Sequence, residues 1–348
     1  MKTNASCAFR LACVYTGAVL GAGFASGQEI WRFFGRFGWW GFWGMCLTIL
    51  FFAFVGCGMF LKIYRLALSS YNSFCDVLFG KKAGKFFSFF GNCYMGATFC
   101  VMLSGSGALF EQELHLPYFA GTLLMAAVCF FIFLFGIHGT VTASTILTPI
   151  MVIGMVALGA YKLLFGDHSV MNALEELITV NDNWLLCALV YISYNLISIP
   201  AIVCGMKKYM PTSTAAIWGG LLGSILIGIC GLSIYYVSLY PDFYLTQMPA
   251  LTFASFMGDH FKLFYGLTIY IAMLTTAISC GQGLLNLAAP EKRLRYNALL
   301  CGGSCIFALL GFSNLVNYLY SFFGYIGLFI TFIVCKECFK EFKIQRIL

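Results

Sequence analysis

Charge is scarce in this sequence: Asp, Glu, Lys and Arg make up 9% of its 348 residues, whereas soluble domains carry about 25%. Histidine is scarcer still. The four present (His115, His138, His168, His260) fall near the ends of apolar segments and build no metal-ligand spacing. No His-rich set, paired Asp or Ser/Lys set lies at depth, so an intramembrane enzyme is not expected. No stretch is long, polar and charge-rich enough to form a separate soluble domain. With 61% hydrophobic residues, 37 Phe and only 7 Pro, a soluble fold of this size could not hide its apolar surface. The chain is expected to be one integral membrane domain over residues 1–348.

The formal charge of +7 does not require a nucleic-acid partner, because its placement matters more than its sum. Sixteen cysteines are scattered through apolar segments and read as small apolar residues rather than a disulfide framework. Cys335-Lys-Glu-Cys338 has CxxC spacing without a second pair; it reads as tail chemistry, with a redox or metal role as the alternative. Lys2, Arg10 and the apolar run ending in Ala-Gly-Phe-Ala-Ser-Gly imitate a signal peptide. The run stays apolar through Ile30, Trp31, Phe33 and Phe34, however, so a retained span is expected.

That span, about Leu11–Phe34, holds the most informative stretch of the chain. Gly17, Gly21, Gly23 and Gly27 are followed by Ser26, Gln28 and Glu29 at membrane depth. Lipid offers no partners for free backbone groups, so a helix opens there only where it lines a cavity or is buried in protein. Pairs of glycines four apart also suit tight helix packing, but that reading leaves Glu29 without a role. A phosphate-cradling loop is excluded, since no strand precedes the glycines and no Lys-Ser/Thr follows. An opened helix forming a substrate or ion site is the favoured reading.

Ten apolar segments are expected: 11–34, 39–67, 86–110, 117–137, 141–165, 184–206, 214–239, 261–289, 296–312 and 315–335. Lys81, Lys82 and Lys85 are expected in a loop before the third. Residues 240–258, with Pro241 and Pro249, are too short and interrupted to span. With the N-terminus in the cytoplasm, sixteen of the 20 Lys and Arg face inward and only Arg32, Arg36, Lys162 and Lys262 face outward. Eight of the 13 acids face outward: Glu111, Glu113, Asp167, Glu175, Glu176, Asp182, Asp242 and Asp259. Both termini are therefore expected in the cytoplasm of a bacterial cell, with the chain in its cytoplasmic membrane.

Ten spans divide as five plus five, and an odd-numbered repeat must enter the membrane in opposite orientations. The repeats would cover about 8–165 and 184–338. Asn195, in Tyr191-Ile-Ser-Tyr-Asn195-Leu-Ile-Ser-Ile-Pro200, lies 174 residues after Gly21, half the chain length. Segment 6 is expected to open there like segment 1, with Ser193, Tyr194 and Ser198 bonding the freed backbone; an ordinary proline kink is the alternative.

These features together resemble a LeuT-fold secondary transporter of the amino acid–polyamine–organocation superfamily, most of all its YkvI-like bacterial membrane proteins. The resemblance covers the whole chain as an all-α, ten-helix, five-plus-five inverted repeat with helices 1 and 6 broken at the membrane midplane. Its motif support lies in helices 1, 6 and 8. In sodium-coupled members helix 1 opens at Gly-x-Gly, here Gly21-Ala22-Gly23, which implies sodium-binding carbonyls at Gly17 and Leu20. The helix 8 pattern that completes the ion site matches Ala272-Met-Leu-Thr275-Thr276, which implies a carbonyl from Ala272 and hydroxyls from Thr275 and Thr276. Sodium, a hard cation, suits such neutral oxygens. Segment 5 has no lysine before Lys162 to replace the ion, as one occurs in some proton-coupled relatives, and this leans towards sodium.

The resemblance further implies a substrate carboxylate against Ala22, Gly23, Phe24, Ala25, Ser26 and Gly27. Tyr191, Ser193, Tyr194 and Asn195 would line the opposite wall, and Tyr94 would serve as a lid or simply pack. Glu29 departs from many amino-acid transporters of this fold. It could receive a substrate amine, pair with Arg32 as an outer gate, or carry a proton. The function implied is sodium-coupled symport of an amino acid or small organic amine, with the lipid bilayer and a small-molecule substrate as partners. No cofactor is expected beyond sodium as the coupling ion. Proton coupling through Glu29, or a non-transporting ligand sensor of the same fold, is the alternative. A channel would need a continuous polar stripe through several helices, which most segments lack.

Overall fold

A computed structural model describes residues 4–166, 183–240, 243, 246 and 248–347. Among them all regular structure is helical, as an apolar chain in lipid must satisfy its backbone groups within each segment. The first segment forms three pieces: α1 (Asn4–Val19), α2 (Ala22–Ala25) and α3 (Gln28–Phe33). The remaining helices are α4 (Trp39–Arg65), α5 (Tyr71–Glu113), α6 (Tyr118–Leu134), α7 (Gly136–Phe165), α8 (Trp184–Gly205), α9 (Ser213–Ser238), α10 (Pro249–Ala254), α11 (Asp259–Leu285), α12 (Arg293–Ala308) and α13 (Phe312–Ile347). Each apolar segment expected from the sequence coincides with helix. Among the described residues, seven stretches are long and apolar enough by themselves to cross a membrane: α4, α5, α7, α8, α9, α11 and residues 322–344 of α13.

The interior is built from helices buried on most of their faces. In α8, 83% of the most apolar window is buried, and in α11 72%, against 39% in α7; α8 and α11 are therefore central and α7 peripheral. α1 packs against α7, α8, α9 and α11, and every residue of it from Leu11 to Val19 is buried. Tyr15, Phe24, Phe34, Phe52, Phe60, Tyr191, Tyr194 and Tyr265 fill the centre, while Trp39, Leu50, Phe135, Phe165 and Phe332 stay on the outer surface, where lipid would meet them. All sixteen cysteines are free thiols, most of them buried.

Two expectations are corrected. Lys81, Lys82 and Lys85 are not in a loop: they begin the longer of the two helices that make up α5 and meet at Gly80, whose backbone is non-helical (φ 77°, ψ 159°); the shorter is capped at its start by the Ser70 hydroxyl. Segment 6 does not open, since α8 is continuous through Asn195 and Pro200. Its polar side chains bond back to the preceding turns instead: Ser193 to Leu189 O (2.6 Å), Asn195 to Tyr191 O (2.9 Å) and Ser198 to Asn195 O (3.2 Å). The expected outward acids Asp167, Glu175, Glu176, Asp182 and Asp242 lie outside the described residues.

One charged cluster ties α4 to α13. Lys62 Nζ meets Glu337 at 2.8 Å and Glu341 at 3.3 Å, and Arg65 meets Glu341 at 2.6 Å. Lys62 and Glu341 are each 5% exposed, so neither charge has water to fall back on. Removing one partner of a buried pair leaves the other uncompensated, at about 3–5 kcal/mol. Lys62→Ala is therefore expected to lower the melting temperature in detergent by several degrees; Lys62→Ala with Glu341→Ala should recover part of it. A single variant that melts with the parent chain would show the cluster to be solvated.

Candidate binding site

The site is organised by the interruption of the first segment. At Leu20 and Gly21 the helix stops, and Gly21 is extended (φ −85°, ψ −167°). Its N–H turns to Val19 O (3.0 Å) rather than to the carbonyl four residues back, Gly17 O. Gly17 O accepts instead from the Thr276 hydroxyl at 2.8 Å, across from α11. Thr275 lies beside it: a side chain added at Gly17 would meet Thr275 Cβ at 2.9 Å and Thr148 Oγ1 at 3.2 Å. Thr275 donates to Ala272 O (3.1 Å), and the Thr276 hydroxyl lies 3.5 Å from where a Gly21 side chain would begin. Gly17, Ala272, Thr275 and Thr276 thus gather around the broken end of α1, and Leu20 is fully buried at the break.

This group consists of neutral oxygens, with no carboxylate among the residues just named. Such a set suits a monovalent hard cation better than a divalent one, which asks for acidic ligands. Thr148 belongs to the group yet was not foreseen. Its hydroxyl donates to Cys13 O at 3.0 Å, one turn before Gly17. The signal that could have found it is the spacing of Thr140, Ser144 and Thr148 in an otherwise apolar helix.

The second break, at Ser26 and Gly27, aims Glu29 back into the protein. Gly27 has φ 83°, and a side chain there would also collide with Phe243. Glu29 is 4% exposed, and its Oε2 accepts from the Tyr194 hydroxyl at 2.7 Å. The carboxyl packs over Gly23, where any side chain would displace it. An aromatic wall surrounds this pair. Tyr191 and Tyr194 meet edge to face at 5.4 Å, with Phe33 5.5 Å from Tyr191 and Phe34 5.0 Å from it. The Tyr191 hydroxyl is buried without a partner, as is Gln28 Oε1. A ligand reaching this aromatic wall would satisfy the Tyr191 hydroxyl.

Not every expected residue joins this wall. Ser193 is buried against α13, where Thr331 donates to its hydroxyl at 3.1 Å and Gly327 makes close room for its backbone. The Asn195 amide is used within α8. Tyr94 is buried and packs on Phe323 with ring centres 5.0 Å apart. Ala22, Phe24 and Ala25 are buried in α2, and Ser26 bonds back to Gly23 O at 3.3 Å. Nothing in the sequence singles out Tyr265, one tyrosine among 19, which donates to Ala25 O at 2.8 Å. Nor did it foresee that α10 docks on the break, through Ala250 N to Ser26 O at 2.8 Å. Residues 248–258 therefore pack against the opened helix through α10.

This architecture recurs among solved transporters. The chain superposes on a Na+-coupled sialic acid symporter in a substrate-bound outward-open state with a TM-score of 0.68, at 11% identity over 93% of this chain and 78% of the other. With the manganese transporter of Eremococcus coleocola the TM-score is 0.60, at 12% identity over 94% and 78%. Likeness at this identity defines the fold: the chain is an all-helical membrane protein with an architecture shared by membrane transporters. Along its sequence it is similar to the uncharacterized membrane protein YkvI of Bacillus subtilis, 29% identical over 97% of this chain and 98% of that one. It is also similar to the uncharacterized protein YyaD of the same organism, 25% identical over 92% and 93%. No family model matches the chain.

Proposed function

We propose that the chain is a secondary active transporter of the bacterial cytoplasmic membrane, a sodium-coupled symporter of an amino acid or small organic amine. The observation that carries the reading is the meeting of the opened α1 with the α11 threonine pair, Thr276 on Gly17 O. Gly17, Leu20, Ala272, Thr275 and Thr276 would hold sodium. Ala22 to Gly27, Glu29, Tyr191 and Tyr194 would face the substrate, with Tyr94, Ser193 and Asn195 behind them. The ten segments would form two inverted repeats of five, residues 8–165 and 184–338, with both termini cytoplasmic. In alternating access the first, second, sixth and seventh segments would rock against the third, fourth, eighth and ninth. The buried Glu29–Tyr194 pair supports a second reading, in which a proton on Glu29 replaces sodium.

Thermal unfolding of the purified chain in sodium or choline, across a panel of amino acids and amines, tests this. Whatever binds the folded state raises its apparent stability by mass action, by about 2.7 kcal/mol at a hundredfold excess over Kd. A shift that needs both sodium and one compound is expected. A compound-specific shift indifferent to sodium and sensitive to pH would favour the proton reading. A shift with a compound but no accumulation of it in proteoliposomes would make the chain a sensor.

A further inference from the structure

Away from the broken helix, where α5 ends and α11 begins, a cavity of about 720 Å³ lies between these two helices, α6 and α10. Leu124, Leu263 and Leu267 line it and are also exposed on the outer surface, so one side of the cavity opens to the bilayer. Its polarity runs in one direction. Glu113, Asp259, His260 and Lys262 stand at the last residue of α5 and the first turn of α11. Deeper along both helices come Leu109, Phe110, Leu263, Phe264, Leu267 and Tyr270. From Asp259 to Tyr270 the helix rises by roughly 16 Å at 1.5 Å per residue, about half of a hydrocarbon core of some 30 Å. A polar mouth above an apolar wall one leaflet deep has the proportions of a membrane lipid.

The mouth carries both signs of charge. Lys262 meets Glu113 at 2.6 Å, and Asp259 and His260 complete the rim. Two acids beside one lysine oppose a headgroup of net negative charge and suit one that brings an ammonium together with its phosphate. An ammonium with N–H donors can bond the carboxylates, whereas a trimethylated one cannot. The Lys262 and Glu113 side chains keep 36% and 25% of their surface exposed, so exchanging their contact for a headgroup's costs little. Within the wall, a glycine keeps the space open. A side chain begun at Gly266 would meet only Leu251, at 3.9 Å.

We infer that this cavity is a binding site for one phosphatidylethanolamine molecule of the surrounding bilayer. Its ammonium lies with Glu113 and Asp259, its phosphate with Lys262, and one acyl chain runs along Leu263, Leu267 and Tyr270. In the proposed orientation the lipid belongs to the outer leaflet. The site shares no residue with the sodium group or with the Glu29 pocket.

The test is native mass spectrometry of the full chain, delipidated in detergent and titrated with phosphatidylethanolamine, phosphatidylcholine or phosphatidylglycerol of identical acyl chains. The parent chain is expected to hold one phosphatidylethanolamine at least about tenfold more tightly than either of the others, as a charge-assisted hydrogen bond would give. Gly266→Leu sends a side chain into the cavity, and leucine favours the helix over glycine. That variant should melt no lower than the parent and lose the tight adduct. Glu113→Gln with Asp259→Asn adds no bulk, and it should bind the ethanolamine and choline lipids alike. Equal binding of all three lipids by the parent chain would mean an unspecific lipid shell and overturn the site. A preference for phosphatidylglycerol would overturn it too, as would a tight ethanolamine adduct that survives in Gly266→Leu. Should Gly266→Leu fail to fold, the double variant decides, and an unchanged preference there refutes the headgroup contacts.

Discussion

Glu29→Gln is expected to weaken substrate binding by about 10- to 150-fold, the equivalent of one charge-assisted hydrogen bond of roughly 1.5–3 kcal/mol. The substitution isolates charge from shape. Glutamine keeps an oxygen to accept from Tyr194, which now lies 2.7 Å from the carboxylate, and it fits over Gly23 where the carboxyl packs. Melting temperature without ligand should therefore stay near that of the parent chain. A ligand that brings an ammonium group to Glu29 would meet one acid beside the neighbouring rings of Tyr191 and Phe33, which would favour a cation as well. With a neutral amide only the aromatic part of that recognition survives. If instead Glu29 carries the coupling proton, the parent chain should bind with a strong pH dependence that Glu29→Gln abolishes. The measurement is the compound-induced melting shift as a function of ligand concentration, in both chains, across pH. Superimposable titrations at every pH would reduce Glu29 to a packing residue.

Much of this site was legible because lipid makes its chemistry conspicuous. Four glycines and an acid in an apolar span are anomalies against a plain background, and the break falls at Gly21 and Gly27, where the glycines are. The Ala272–Thr276 pattern likewise led to the residues that meet Gly17. The same logic misled at segment 6. Asn195 and Pro200 carry the composition of an opened helix, but Ser193, Asn195 and Ser198 satisfy carbonyls within α8, and the helix closes over its own weak point. Whether a polar residue opens a helix or mends it depends on where its side chain turns, which spacing alone does not determine. The lysine loop before segment 3 failed for a different reason: Lys81, Lys82 and Lys85 are good helix formers, and the single non-helical residue Gly80 joins one helix directly to the next with no loop between. Tyr265 and α10 were invisible because their partners are backbone groups of residues 25 and 26, more than two hundred positions away.

Thr276→Val should have the second large effect, on the cation rather than the substrate. Valine matches threonine in shape, so the contact between α1 and α11 is kept and only the hydroxyl goes. Two consequences follow from that loss. Gly17 O, already deprived of the Gly21 N–H by the break, loses its 2.8 Å donor, and a cation at the group loses one oxygen. Both are costs of about 1–3 kcal/mol, but they act on different states. The unmet carbonyl weakens the cation-free protein, whereas a bound cation would satisfy Gly17 O itself. The variant should thus melt lower than the parent in choline, and its half-saturating sodium concentration should rise by up to about 30-fold, the lost cation ligand being partly offset by the relief of Gly17 O on binding. Thr275→Ala is expected to raise that concentration with a smaller change in choline, since its hydroxyl bonds only Ala272 within α11. Melting curves against sodium concentration, at fixed ionic strength with choline, separate the two effects. A lower melting temperature with unchanged sodium dependence in both variants would leave the threonines as a structural brace between α1 and α11 and move the coupling role to Glu29.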